Sequence, residues 1–140
     1  MRHRRKVKQL GRIAKQRKAL FQGLMVALIR EGRIKTTLPK AKSVKPHIEK
    51  VISLAKKEGL ATIRELGRIF DDKSVRLILD KWGPLFKSRK GGYTRIIRLN
   101  KRLSDASPMA FIEFVEKPVE SKIKPKTKVA KAKKPVKNKK

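Results

Sequence analysis

No acidic residue precedes Glu31, and the positions ahead of it are crowded with cations. The chain opens MRHRRKVK, with Arg2, Arg4, Arg5, Lys6 and Lys8, and QLGRIAKQRKAL then adds Arg12, Lys15, Arg17 and Lys18. A soluble domain normally mixes both signs on its surface. A segment of one sign cannot neutralise itself by folding, so it requires a partner that carries the other sign. The whole chain repeats the imbalance: 41 Lys and Arg stand against 11 Asp and Glu, for a formal net charge of +30. A compact state with that charge repels itself. Nucleic acid is the chief candidate for the missing polyanion, and an anionic membrane surface is the rival.

Several classes are set aside on composition. No apolar run approaches the roughly 18 residues of a membrane-spanning helix. The opening lacks the apolar stretch and small-residue cleavage site of a secretory signal, and the serines of an organelle transit peptide. Cysteine is absent, which excludes a disulfide framework and a thiolate metal site. His3 and His47 are far apart and have no spaced partners, so both read as solvent-facing or structural rather than as ligands.

The composition changes at Lys117. KPVESKIKPKTKVAKAKKPVKNKK has Pro118, Pro125 and Pro135, one acid (Glu120) and no aromatic residue. It cannot bury enough apolar surface to offset an ordering cost of roughly 1–2 kcal/mol per residue. Residues 117–140 are expected to be a disordered basic tail, either a solubilising extension or a loose polyanion tether. Residues 1–116 are left as one domain, with residues 1–18 as its basic arm.

Within that domain, helices come first and strands after. Leu20, Phe21, Leu24, Met25, Leu28 and Ile29 recur at helical spacing, and Gly32 is placed to end the helix in a left-handed conformation. RIKTT predicts a short strand around Ile34. Thr37 is the expected N-cap of the next helix, with Pro39 in its first turn. That helix should bury Ala41, Val44, Ile48, Val51, Ile52 and Ala55 and close at Gly59. Pro46 inside it predicts a bend or a broken first turn. A third helix over residues 61–70 should turn Ile63, Leu66, Ile69 and Phe70 inward. Asp72 is placed to cap a fourth, which buries Val75, Ile78, Leu79 and Trp82 and stops at Gly83-Pro84. YTRIIRL and MAFIEFVE read as an antiparallel pair of strands, the second with Ala110, Ile112 and Phe114 on one face and Met109, Phe111, Glu113 and Val115 on the other. The strand near Ile34 is the candidate third member. The predicted class is α+β, with helices packed on one face of a small, three-stranded sheet, an extended basic N-terminal arm and the disordered tail.

Three basic clusters are candidates for polyanion binding. The first runs from Arg2 to Lys18 and comprises Arg2, His3, Arg4, Arg5, Lys6, Lys8, Arg12, Lys15, Arg17 and Lys18. Eight extended residues reach about 25–28 Å, long enough to thread between nucleic-acid helices. Arginine forks bind phosphate bidentately, lysine adds point charge, and His3 can stack on an unpaired base. The second surrounds the strand-to-helix corner: Arg33, Lys35, Thr36, Thr37, Lys40 and Lys42. There the two hydroxyls and the free N–H groups of a helix start can face one phosphate; the alternative is that Thr37 only caps. The third is KSRKGGYTR, with Arg89, Lys90, Gly91, Gly92, Tyr93 and Arg95. Its glycines permit close approach of backbone to phosphate and Tyr93 can stack on a base; the alternative is a plain turn with Tyr93 at the core edge.

Catalysis has no visible basis. No Gly-rich nucleotide loop and no nucleophile–base pairing is legible, and Asp71-Asp72 reads as helix termination. The sharp rival is a helix-turn-helix regulator over residues 61–83, with Lys73, Ser74 and Arg76 facing base edges. Val75, Ile78, Leu79 and Trp82 claim most of that helix for the core, which favours a packed hairpin. A nucleoid-type DNA binder and a cationic membrane-surface protein remain as wider alternatives.

IKTTLPKAK at 34–42, followed by EKVISLAK at 49–56, resembles the signature of the bacterial large-subunit ribosomal protein L-seventeen family. MRH at the start, GGYTRI at 91–96 and PMAFIE at 108–113 resemble further blocks of that family in the same order. The resemblance spans roughly residues 1–115. It departs at Ser53, where the family usually has Thr, and at Pro46, which is unusual within that helix. It implies an α+β fold, binding to large-subunit ribosomal RNA near the opening of the peptide exit tunnel, and contact with neighbouring ribosomal proteins. Arg2, His3, Arg4, Arg5 and the TTLPKAK corner match the RNA-facing blocks, and GGYTR matches another. The expectation is a structural ribosomal component in the cytoplasm, not an enzyme. It has no cofactor, metal, small-molecule substrate or membrane association, and is not a homo-oligomer.

Overall fold

The first apolar stripe forms helix α1, Ala14–Glu31, which buries Met25, Leu28 and Ile29. Gly32 ends it as expected: φ is 71°, and its N–H donates to the Leu28 carbonyl at 2.8 Å. The computed structural model describes residues 8–57 and 59–116. Arg2, His3, Arg4, Arg5, Lys6 and the tail from 117 therefore lie outside the described residues. Within the expected arm, residues 14–18 are helical rather than extended. Ala14, Lys15, Gln16, Arg17 and Lys18 are all strong helix formers, and they extend α1 ahead of its apolar stripe.

Strand β1, Arg33–Thr37, leads directly into helix α2, Leu38–Ala55. Thr37 occupies the N-cap position, yet its hydroxyl makes no capping bond. One of the two amides such a cap serves belongs here to Pro39, which has no N–H. The expected set Ala41, Val44, Ile48, Val51, Ile52 and Ala55 is buried. The helix runs uninterrupted through Pro46, so the expected broken turn is absent. Pro46 and Lys42, whose carbonyl loses its partner, both lie on the exposed face, where water can take the bond. The helix ends at Ala55 rather than Gly59, and Gly59, at φ 147°, precedes α3, Leu60–Gly67.

Helix α3 is shorter than its pattern predicts. Ile69 and Phe70 follow it in a turn, both N–H groups donating to the Leu66 carbonyl at 3.0 and 2.9 Å. Leu66 and Phe70 are buried, but Ile63 is 44% exposed. Thr62 is buried in its place, its hydroxyl donating to the Lys57 carbonyl at 2.6 Å. The fourth segment begins as α4, Asp72–Leu77, with Asp71 rather than Asp72 at the N-cap position. It widens into a π-helical turn, Ile78–Trp82, and continues as α5, Gly83–Leu85. Gly83-Pro84 thus fails to stop the helix. The wider turn lets the Gly83 N–H reach the Ile78 carbonyl, and Pro84 falls at the start of a fresh turn, where no donor is needed. Gly83 also packs closely: a Cβ there would lie 3.1 Å from the Ala55 carbonyl oxygen.

Strands β2, Thr94–Arg98, and β3, Met109–Phe114, complete an antiparallel sheet of order β1-β3-β2. Ala110, Ile112 and Phe114 of β3 are buried on the face covered by helices. Trp82, Phe86, Tyr93 and Phe114 pack together at one end of that face, with the Trp82 and Phe114 ring centroids 3.9 Å apart. The Trp82 indole N–H donates to the Ile29 carbonyl at 3.0 Å, tying α1 to the cluster. The architecture is the expected α+β one. Among the described residues, no helix is long and apolar enough to cross a membrane.

Because Pro46 leaves a helical carbonyl unpaired without disrupting α2, Pro46→Ala restores a bond at no cost in packing. Urea unfolding should show a gain of about 1–3 kcal/mol. A loss would mean that α2 depends on the proline.

Candidate nucleic-acid interface

The described part of the first cluster gathers at the start of α1. Lys8, Arg12, Lys15 and Lys18 are exposed and Arg17 is half-buried. Among the described residues, the guanidinium groups of Arg12 and Arg17 donate to the nearby Leu10 and Arg12 carbonyls, at 2.9 and 3.3 Å. None of these five cations joins an ion pair among the described residues. The first turn of α1 holds no acid and its N-cap residue, Ile13, supplies no capping group. Cations at the positive end of a helix cost roughly 0.3–1 kcal/mol each at low salt. A bound anion removes that cost and meets the free N–H groups.

The corner cluster divides between two faces. Successive strand residues point to opposite sides. Thr36 is therefore buried on the helix-covered side, while Arg33, Lys35 and Thr37 lie on the other. The two threonine hydroxyls do not converge on one phosphate. The helix start is also poorer in donors than expected: the Leu38 N–H is taken by the Pro108 carbonyl at 2.9 Å, and Pro39 has none. Lys42 is exposed and Lys40 half-buried.

The third cluster loses its stacking group. Tyr93 is 2% exposed, its ring centroid 5.3 Å from that of Phe86. Its hydroxyl lies 3.4 Å from Lys56 Nζ and 3.5 Å from Ser53 Oγ. The side chain seals the aromatic cluster and cannot receive a base, so the core-edge alternative holds for Tyr93. Arg89 donates to Glu116 at 3.0 Å and to the Gly91 carbonyl at 3.1 Å, while Lys90, Gly91 and Gly92 remain exposed.

Arg95 belongs to a different surface. The register sets Arg33, Glu113 and Arg95 side by side across the sheet. Glu113 is 3% exposed although it lies on the face opposite the described helices. Arg33 Nε is 3.1 Å from one carboxylate oxygen and Arg95 Nε 2.6 Å from the other. The Arg33 guanidinium also lies 3.8 Å from the centre of the Phe111 ring. Strand alternation places Phe111 and Glu113 on a shared face, but their two arginine partners follow only from the strand order.

The rival regulator finds little support. Helix α4 has six residues and Ser74 is fully buried, leaving Lys73 and Arg76 exposed. Ser74 instead donates to Asp71 at 2.6 Å. That bond, with the Arg30 charge, holds the Asp71 carboxyl below the ordinary aspartate range. Ser107, through its hydroxyl and its N–H, and then Arg102 do the same for Asp105. His47 packs on Phe21 at 5.0 Å between centroids, and no cluster of potential metal ligands occurs among the described residues.

A three-stranded sheet backed by helices, with most surface cations among the described residues lacking a carboxylate, defines a small basic α+β protein. Residues 20–115 match the family model of ribosomal protein L17. The chain is 48% identical over 121 residues to the large ribosomal subunit protein bL17 of Bdellovibrio bacteriovorus, covering 86% of this chain and 67% of that one. It is 47% identical to the protein of that name from Persephonella marina, covering 84% and 98%, and 41% identical to that of Rickettsia bellii, covering 87% of each. The chain belongs to the ribosomal protein L17 family, a family of structural components of the large subunit and not of enzymes.

Glu113→Gln should lower stability by about 1–2 kcal/mol in urea unfolding, since charged hydrogen bonds are lost but both arginines can reach water. An unchanged midpoint would mean that the clasp contributes nothing. The pH dependence has a definite sign. A carboxyl depressed in the folded state stabilises above its ordinary pKa, and the gain is lost as pH falls through the folded value. The free energy of unfolding, measured from about pH 6 to about pH 2, should therefore fall less steeply below about pH 4 for Asp71→Asn than for the parent.

Proposed function

We propose that the chain binds large-subunit ribosomal RNA as a structural clamp and helps assemble and stabilise the subunit near the opening of the peptide exit tunnel. The unpaired cations at the positive end of α1 carry this proposal. They are a standing electrostatic cost in the isolated protein and become favourable only against an anion. The acid-free sequence ahead of them, Arg2, His3, Arg4, Arg5 and Lys6 included, extends the same charge. Phosphate contacts position the protein and reduce repulsion between packed RNA helices, while base contacts are few. Neighbouring ribosomal proteins complete its surroundings in the cytoplasmic particle, where it acts as a single copy with no membrane contact.

If about eight cations each neutralise one phosphate, log affinity for RNA should fall against log salt with a slope near −6, at roughly −0.7 per contact. Sedimentation of lysate through a sucrose gradient after a high-salt wash tests the assignment directly. Co-migration with the large subunit, abolished by ribonuclease, is the expected result. Release to the top of the gradient, or migration with DNA, would overturn it. Removal of residues 1–8 should reduce incorporation into subunits and leave the urea midpoint unchanged. Normal incorporation would remove the arm from the mechanism.

A further inference from the structure

Arg33 and Lys35 lie far from Arg95 in the chain, yet β3 brings all three onto one surface. Its rows are Arg33–Glu113–Arg95 and Lys35–Phe111–Ile97, followed by Thr37 and Met109, with Leu99 bonded to the Met109 carbonyl at 2.9 Å. The described helices pack on the opposite face, against Ala110, Ile112 and Phe114. The centre of this outer face is apolar, and Ile97 is 37% exposed there. Its rim is cationic. The only carboxylate in the three strands is Glu113, which is buried between its two arginines. The face therefore presents positive charge alone to a partner.

The clasp also orders what it presents. Both arginines meet Glu113 through Nε, which lays their side chains along the sheet instead of leaving them free in solvent. Arg33 is held over Phe111, so a planar cation is already stacked on a ring. Arginine planes and flat apolar surfaces take the π-face of a nucleobase. Duplex RNA keeps its bases stacked internally and would leave the apolar centre unmatched, whereas an unpaired segment can lay bases on it.

We propose that the outer face of the sheet is a platform for unpaired bases of RNA. A base stacks on the surface formed by Arg33, Phe111 and Ile97, and Lys35 and Arg95 take the flanking phosphates. This rests on the RNA-binding function proposed above and assigns it a second surface, separate from the start of α1.

The test places a benzophenone amino acid at Ile97 in the full-length protein within assembled large subunits, with a parallel sample carrying it at Lys18 on α1. Irradiation should cross-link the Ile97 position to ribosomal RNA, at nucleotides that chemical probing finds unpaired. Cross-links to protein, to paired nucleotides or to nothing would overturn the platform. RNA capture at Lys18 alone would leave the proposed function standing and remove only the platform; failure at both positions would remove both. Binding of the isolated full-length protein to large-subunit RNA supplies a second readout. Lys35→Ala, at an exposed position, should reduce the magnitude of the salt slope by about 0.7. Arg33→Lys keeps the charge and loses the plane, so affinity should fall about tenfold with the slope unchanged. A purely structural Arg33 would instead lower the unfolding midpoint and leave the affinity of the folded protein unaltered.

Discussion

Strand β3 holds the described fold together, because among the described residues it is the one strand hydrogen-bonded on both edges. Its pairing with β1 joins Arg33 to Glu113, closing most of the domain into one loop. The described helices between those positions pack on a single face of the sheet. Helix α2 lies against all three strands, and the aromatic cluster built from Trp82, Phe86 and Tyr93 seals the end at Phe114. Such closure costs chain entropy that only the completed core returns. The alternation of β3 then divides its residues between two surfaces. Ala110, Ile112 and Phe114 serve the core, while Phe111 and Glu113 serve the outer face.

The surplus of charge is distributed unevenly. Glu113 engages Arg33 and Arg95, Asp71 engages Arg30, Asp105 engages Arg102, and Glu116 engages Arg89. These pairs join or stiffen elements of the fold. The cations at the start of α1, and Lys35 on the sheet, have no such carboxylate among the described residues. Exposed ion pairs contribute little to stability, whereas a cation left at the positive end of a helix opposes folding. The paired cations therefore contribute to this chain's own fold, while the unpaired ones contribute no ion pair to it.

Much of this was legible from periodicity. The buried face of α2 matches its pattern residue for residue, and Gly32 and β1 fall where their local chemistry requires. Errors gathered where a local signal competed with packing. Gly83-Pro84 reads as a stop, but close contact with Ala55 and a wider helical turn carry the chain through. Thr37 reads as a capping group, yet Pro39 removes a donor it would serve. For Tyr93 the sequence leaves base stacking and a core-edge position open, and the hydrophobic effect decides for the aromatic cluster. Ile63 fits the apolar stripe of α3, but that helix is too short to bury its whole stripe, and Thr62 takes the inward position.

The amino-acid order by itself determined the surplus of positive charge, the α+β class and the helix and strand faces. Charge balance and periodicity are local properties and survive without knowledge of contacts. Which cations share a surface was decided only by tertiary structure. Arg33, Lys35 and Arg95 meet because the strands assemble in the order β1-β3-β2, and Thr36 leaves the corner cluster because alternation turns it toward the core. Strand order depends on closing long loops around a common core, and no short stretch of sequence encodes that.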